Sequence, residues 1–433
     1  MSLLLSVVRE VRNFVLFPSV WRALTFFIGS VAAQGSASLT GLFLARWLSV
    51  HDYALYTLMA LLMVSISALT KGGVRLGFTA ILGRHWPNME RVSALVDATL
   101  EVRRVISLFV LPPLLAVSVF LLIQNNAGLE TTILFVIALA VFWWADMRTR
   151  VIDQILLFAK QATRLQVLDT AIGLARLFIV FGLHIAGVLS SLTAVLVGVM
   201  AAVVRIGPID SWIKGLLPDV RLGSAASEVR EIRTTAMLQL PVDLFTVFQS
   251  VIVLFLLSVF GSVENVAGYG AIGRIAQLLV PVSALSYAFC IPIFARATSR
   301  IVPILAGLVA LCSIPGIVLV LASLVLPGPL LWLIGPHYAG LDAELAVSAV
   351  VAAFNNSARI AWILVAHRGW NRWAWLQIPF GLGWCAVAVK VFDVGSITGA
   401  LWLQGGFSLG LMVAALADLI SANRRGVLLP HKD

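Results

Sequence analysis

Long apolar runs separated by short polar turns account for most of this chain. Stretches of roughly 20 apolar residues suit a helix that crosses a bilayer. They predict spans at about 23–45, 52–70, 105–124, 129–147, 166–187 and 189–206, then at about 236–260, 266–290, 302–333, 343–366, 373–391 and 397–420. Residues 72–84 and 148–165 are amphipathic and are expected to prolong the second and fourth spans beyond the bilayer. The ninth run is too long for one straight span, and Pro315, Pro327 and Pro329 predict a kinked helix with a re-entrant tail. Residues 2–17 are interrupted by Arg9, Glu10 and Arg12, so they read as an interfacial helix and not as a cleaved leader. The expected fold class is all-α: a polytopic membrane protein of about 12 transmembrane helices in two pseudo-symmetric six-helix lobes around a central cleft.

The two lobes are expected from an internal echo. Val50-His-Asp-Tyr-Ala-Leu-Tyr56 can be laid over Val263-Glu-Asn-Val-Ala-Gly-Tyr269, with Val, Ala and Tyr coinciding and Asp52 falling on Asn265. Each stretch is a short polar turn between apolar runs, the tip of a helical hairpin. The offset of 213 residues is close to half of the 433. The halves run over 1–206 and 234–433, with a basic, more polar cytoplasmic linker at 207–233.

Composition agrees, at 61% hydrophobic and 12% charged residues with mean hydropathy +1.01. The net charge of +10 would suit nucleic acid, but its distribution argues against that partner. With the N-terminus inside, 25 of the 30 Lys and Arg fall in cytoplasmic segments, an N-in, C-in bias. On this count Asp52, Asn265 and His337 face outward, and Arg103, Arg221 and Arg300 face the cytoplasm. The five exceptions are Arg46, Lys390 and three arginines inside spans: Arg176, Arg274 and Arg359. The outer turns Gln124–Glu130, His184–Ser191, Gly261–Asn265 and Phe392–Ser396 are too short to carry the carboxylates of an outer-face glycosyltransferase or polymerase. No Gly-rich phosphate cradle, HExxH or Cys/His cluster is visible, so no cofactor, metal site or enzyme is expected. Cys290, Cys312 and Cys385 read as small buried hydrophobes.

Ala45-Arg-Trp-Leu-Ser-Val-His-Asp-Tyr-Ala-Leu-Tyr56 resembles the "ARxLgpedfGxY" signature of polysaccharide and oligosaccharide flippases. This is the O-antigen-flippase type within the multidrug/oligosaccharidyl-lipid/polysaccharide exporter superfamily. Gly261–Ile272 resembles that family's "sveeVGxYxaA", Pro292–Arg296 its exit from span eight, and Ile334-Gly-Pro-His-Tyr-Ala339 its "fGpxya" turn. The likeness runs from Trp21 to about Asn423, with Ala54 where the family usually has Gly. It implies translocation of a lipid-diphosphate-linked oligosaccharide across a bacterial cytoplasmic membrane by alternating access. The expected partners are a polyprenyl-diphosphate-linked glycan and membrane lipids, with a glycan polymerase and glycosyltransferases as candidates. The alternatives are a multidrug or cation antiporter of the same superfamily, a membrane glycosyltransferase or glycan polymerase, and a peptidoglycan-precursor flippase.

A diphosphate crossing hydrocarbon needs cations along its path. Arg offers an always-charged planar fork for phosphate oxygens. Arg274, flanked by Gly270, Gly273 and Gln277, either contacts cargo or pairs with a carboxylate such as Asp243. Arg176 lies seven residues after Asp169, on one helical face, so cargo contact and a structural pair both stay open. Arg359 follows the polar cluster Asn355-Asn356-Ser357 and either lines the cleft or snorkels. Gln34 and Gln239 are further cargo candidates, against a packing role. Asp243, beside Pro241, and Asp169 are candidates for ion coupling, against salt bridges. Asp146 and Asp418 read as solvated cytoplasmic ends, and Trp143, Trp144, Trp370, Trp373 and Trp375 as interfacial anchors.

Overall fold

Each hairpin helix begins where a short polar residue can take up free backbone N–H groups. Ser49 caps the helix after the first hairpin by accepting from Asp52 N at 3.1 Å. Ser262 does the same for the second hairpin, accepting from Asn265 N at 3.3 Å. Asn88 caps the helix that follows the first of these, and Ser190 with Thr193 forms a reciprocal capping box. In the computed structural model, which describes residues 19–217, 226–280, 290–297, 301–368, 370 and 372–424, every regular element is helical. The expected interfacial helix at 2–17, Arg221, Arg300 and the end of the eighth span lie outside the described residues.

The helices are α1 (Ser19–Trp47), α2 (Val50–His85), α3 (Met89–Gln124), α4 (Leu129–Thr149), α5 (Gln154–Phe158), α6 (Ala162–Ile185), α7 (Ser191–Val204), α8 (Ile206–Lys214) and α9 (Ala226–Phe260). They continue as α10 (Val263–Ala276), α11 (Ile291–Arg296), α12 (Ile301–Val325), α13 (Pro327–Ile334), α14 (Asp342–His367), α15 (Gln377–Val391) and α16 (Ile397–Arg424). Ten helical segments among the described residues are long and apolar enough to cross a membrane. The chain is a multi-pass membrane protein.

The chain forms two compact units, one of residues 47–267 and one of residues up to 46 together with 268–433. These are not the sequence halves 1–206 and 234–433. The first span groups with the second half, and the seventh span groups with the first half. A glycine face explains the second exchange. A Cβ on Gly73 would lie 2.7 Å from Ala236 Cα, and one on Gly77 would lie 3.2 Å from Ile232 Cα. This Gly-x-x-x-Gly pair lets α9 press backbone to backbone on α2.

In the unit of residues 47–267, three turns expected outside gather at one end. Asp52 Oδ1 accepts from Ser191 N at 3.0 Å and Ser191 Oγ at 2.6 Å, and His51 Nε2 lies 3.2 Å from Asn125 O. The opposite end is basic: Arg84 pairs with Glu231, and Arg205 pairs with Asp153 at 3.1 Å and Asp169 at 2.8 Å. In the other unit, α11, α12, α14 and α16 meet around Phe294, Leu308, Ile360, Leu364 and Trp370. Cys290 and Cys312 are buried there, their sulfurs 3.3 Å apart, and Cys385 is half-buried. Arg46, an exception to the charge bias, is committed to the Trp332 carbonyl and lies 4.2 Å over that ring. Gly335, at φ +109°, admits it: a Cβ there would sit 2.9 Å from Arg46 Cα.

Three expectations are corrected. Residues 148–165 prolong the fourth span only in part: α4 ends at Thr149, a turn follows, α5 carries the segment to Phe158, and Val151, Ile155 and Leu156 are buried. Arg103 is not a cytoplasmic surface residue, and Asp146 and Asp418 are not solvated; they are 0%, 3% and 1% exposed. The Arg103 N–H groups reach Thr70 O, Thr70 Oγ1, Asp146 O, Asp146 Oδ2 and Met147 O, and Asp418 accepts from Trp373 N. The ninth run does break as expected, into α12 and α13, with Pro327 at the first turn of the second piece.

Candidate functional site: intramembrane arginines

The sequence candidates fall into three groups by setting. Arg176 lies 14 residues into α6 and nine before its end, so about 21 Å and about 14 Å from the two ends. Its NH2 group donates to Tyr56 Oη at 3.0 Å. Tyr56 is buried on α2, seventh from the start of that helix. The guanidinium lies over Gly198 of α7, whose Cβ would be 3.8 Å from NH2. Arg176 Nε is buried without a hydrogen-bond partner among the described residues. Beside it, α6 and α7 enclose a groove of about 410 Å³ whose other lining is apolar but for Thr193, with Ile172, Ile179, Leu196 and Met200 along its walls.

Arg274 has a similar seat in the other unit. It lies 11 residues into α10, about 16 Å from its start and two residues before its end. Its NH1 group donates to Gln277 Oε1 at 3.3 Å. Its side chain lies against Gly41 of α1, where a Cβ would meet it at 3.0–3.1 Å. Five residues earlier, Tyr269 donates to Gln404 of α16. Each unit thus sets a half-buried arginine across a glycine of a neighbouring helix, near the tyrosine of a hairpin motif.

The remaining candidates divide differently. Arg359 is exposed and makes no ion pair among the described residues. In the polar cluster before it, Asn356 Nδ2 donates to Cys312 O at 3.2 Å and Ser357 Oγ lies 2.7 Å from Ser313 Oγ, so these two tie α14 to α12. Asn355 is half-buried, as is Gln34 on α1. Asp169 pairs with Arg205 and not with Arg176. Asp243 accepts from Gly73 N at 3.0 Å on Oδ2 and from Gln239 Nε2 at 3.3 Å on Oδ1. Among the described residues no cation pairs with it. Gly72 gives it room, since a Cβ there would collide with the carboxylate.

Arg205 and Asp153 carry no signal in the sequence, because their burial depends on tertiary packing. The anchoring by Tyr56 was hidden too: the hairpin motif held that tyrosine, but nothing local marked its partner. Among the described residues no group of three or more His, Cys, Asp and Glu side chains could hold a metal ion.

No protein-family profile matches the sequence. No curated protein matches it either. Solved structures do. An inward-facing multidrug-resistance MATE family transporter of the MOP superfamily matches with TM-score 0.74 at 13% identity, over 95% of this chain and 100% of its own. The lipid II flippase MurJ in an inward closed conformation matches with TM-score 0.64 at 12% identity, over 92% and 87%. The MATE multidrug transporter DinF-BH matches with TM-score 0.61 at 16% identity, over 95% and 97%. The chain therefore has the two-lobed, all-α fold of the MATE and MurJ transporters.

Proposed function

We propose that this protein translocates a lipid-diphosphate-linked oligosaccharide across the bacterial cytoplasmic membrane by alternating access, for surface polysaccharide synthesis. The observation that carries the reading is Arg176. It is a cation deep in a span, held by a neutral hydroxyl, with one N–H unsatisfied beside an apolar groove. A buried donor left open costs about 1–3 kcal/mol, which an arriving phosphate oxygen recovers. An apolar groove with a cation beside it suits an isoprenoid chain that ends in a diphosphate. Arg274 supplies the corresponding cation in the other unit.

The acidic groups argue against a drug-cation antiporter as the first choice. Asp146 is tied to Arg103, and Asp153 and Asp169 to Arg205. Among the described residues Asp243 has neutral partners and no cation, so it is the carboxylate best suited to carry a coupling proton, and Asp169 leaves that role. A lipid II flippase shares the fold, in keeping with lipid-linked cargo, and the multidrug transporters of like fold supply the second reading. The chain runs N-in and C-in by its charge distribution. Glycosyltransferases upstream and a polymerase downstream are the enzymes whose products and substrates such cargo would be.

The test is transport by purified protein in proteoliposomes loaded with a polyprenyl-diphosphate oligosaccharide, scored by accessibility of the glycan to an added lectin. The expected result is protein-dependent flipping that Arg176→Gln slows. Flipping no faster than in protein-free vesicles, together with proton-driven export of a lipophilic cation, would replace this reading with the antiporter.

A further inference from the structure

A second cavity, of about 530 Å³, lies at the basic end of the 47–267 unit, walled by α3, α4 and α8. Arg104, Arg148 and Lys214 line it, and all three are exposed. Four arginines of this unit meet carboxylates, Arg84 with Glu231, Arg103 and Arg150 with Asp146, and Arg205 with Asp153 and Asp169, while Arg75, Arg164 and Arg176 meet neutral side chains. The three around the cavity form no ion pair among the described residues, and neither do Asp97 and Asp210, which also line it. Two carboxylates are thus present and yet do not neutralise the cations. The lining carries one net positive charge.

Its surroundings are those of a membrane–water boundary. Trp144 is partly exposed, with the Arg148 guanidinium 5.0 Å from its ring centroid. Trp143, also in the lining, donates through Nε1 to Ser107 Oγ at 2.9 Å, so its ring is fixed. Tryptophans collect at the headgroup level of bilayers. α8 buries Ile209 and Ile213 against the protein while Ser211 and Lys214 stay exposed, so the end of this segment presents a polar face.

We propose that this cavity binds the headgroup of a monoanionic phospholipid, its phosphodiester held by Arg104, Arg148 and Lys214. One phosphodiester charge matches the one net positive charge of the lining, whereas a zwitterionic headgroup would leave it uncompensated. The tryptophans, and the end of a membrane-span candidate in the lining, favour a lipid over a soluble phosphate. The choice of cytoplasmic leaflet rests on the orientation proposed above; the binding does not, and neither does it depend on the cargo.

The experiment is native mass spectrometry of the purified full-length protein in detergent, offered equal phosphatidylglycerol and phosphatidylethanolamine. Phosphatidylglycerol should be retained over phosphatidylethanolamine by about fivefold, the scale of one uncompensated basic group at an anionic surface. The combined variant R104Q/R148Q/K214Q should lose that preference while its melting temperature stays at the wild-type value, and Arg148→Lys should keep it. Should the combined variant fail to fold, Arg148→Gln and Lys214→Gln, both at exposed positions, should each weaken the preference alone. Equal retention of the two lipids by the wild type, or unchanged retention by the glutamine variants, would overturn the proposal. Displacement by millimolar glycerol 3-phosphate would overturn the lipid and leave a soluble-phosphate site.

Discussion

Two kinds of arginine lie within this chain, and their partners separate structure from function. Arg103 is fully buried with its N–H groups engaged by Thr70, Asp146 and Met147. Removing it would leave Asp146, at 3% exposure, with Ser67 and the more distant Arg150 but without its buried cation. Arg103→Ala should therefore cost about 3–5 kcal/mol, read as a large fall in melting temperature in detergent. Arg274, half-buried across Gly41, should behave in the opposite way. Arg274→Ala should insert at normal levels and lose glycan export by roughly 10- to 100-fold, the worth of one charge-assisted hydrogen bond of about 1.5–3 kcal/mol. Arg274→Lys should keep part of the activity, because it keeps the charge and loses the fork. Export that falls only in step with protein level, measured by immunoblot beside surface glycan, would return Arg274 to a packing role. Arg176, Arg274 and Arg359 stand out in the sequence because each interrupts an apolar run. Arg103 was not: Glu101, Arg104 and their neighbours disguise it as loop, and its burial comes from α2 and α3 reaching well past the bilayer as 36-residue helices.

At the scale of the helix, α2 shows how one residue type serves two ends. Gly73 faces the backbone of α9, where a Cβ would sit 2.7 Å from Ala236 Cα and 2.9 Å from Ala236 O. Backbone cannot swing aside as a side chain can, so Gly73→Ala should destabilise by about 1–3 kcal/mol. Gly83, in the same helix, would meet only the Phe158 ring at 3.7 Å, an ordinary contact. Gly83→Ala should be neutral or stabilising by up to about 1 kcal/mol, through helix propensity alone. Thermal melts of both variants in one detergent check the pair; equal shifts would mean that the close approach of α2 and α9 is not maintained. Most span ends were legible to within a few residues, because apolar length and short polar turns fix them. The register of the hairpins was legible too, and Ser49 and Ser262 now give it an atomic cause in matching caps. The segment 148–165 was legible only in part, because its periodicity is helical while turns after Thr149 and Phe158 break it: Val151, Ile155 and Leu156 are drawn into the core, and α5 is only five residues long.

For the whole molecule, two lobes were legible from the echo of Val50–Tyr56 in Val263–Tyr269, but the composition of the two compact units was not. A repeat along the chain gives equivalent helices; it does not say which of them packs on which, and here small residues on α2 and α9 decide it. Orientation is the claim on which the cargo's direction depends, and it rests on charge. The structure refines how to test it. Arg103 is buried and would report nothing, whereas Arg91, Arg230 and Arg424, expected inside, are exposed, as are Asn126, Glu264 and His337, expected outside. With Cys290, Cys312 and Cys385 replaced, single cysteines at 126, 264 and 337 should react with an impermeant thiol reagent in intact spheroplasts. Cysteines at 91, 230 and 424 should react only after the membrane is opened. Within the 47–267 unit the test is overdetermined, since hydrogen bonds bring His51 to Asn125 and Asp52 to Ser191, fixing three turns at one end. Positions 126 and 91 must then label from opposite faces, and a reversed pattern would invert the direction of flipping without disturbing the fold.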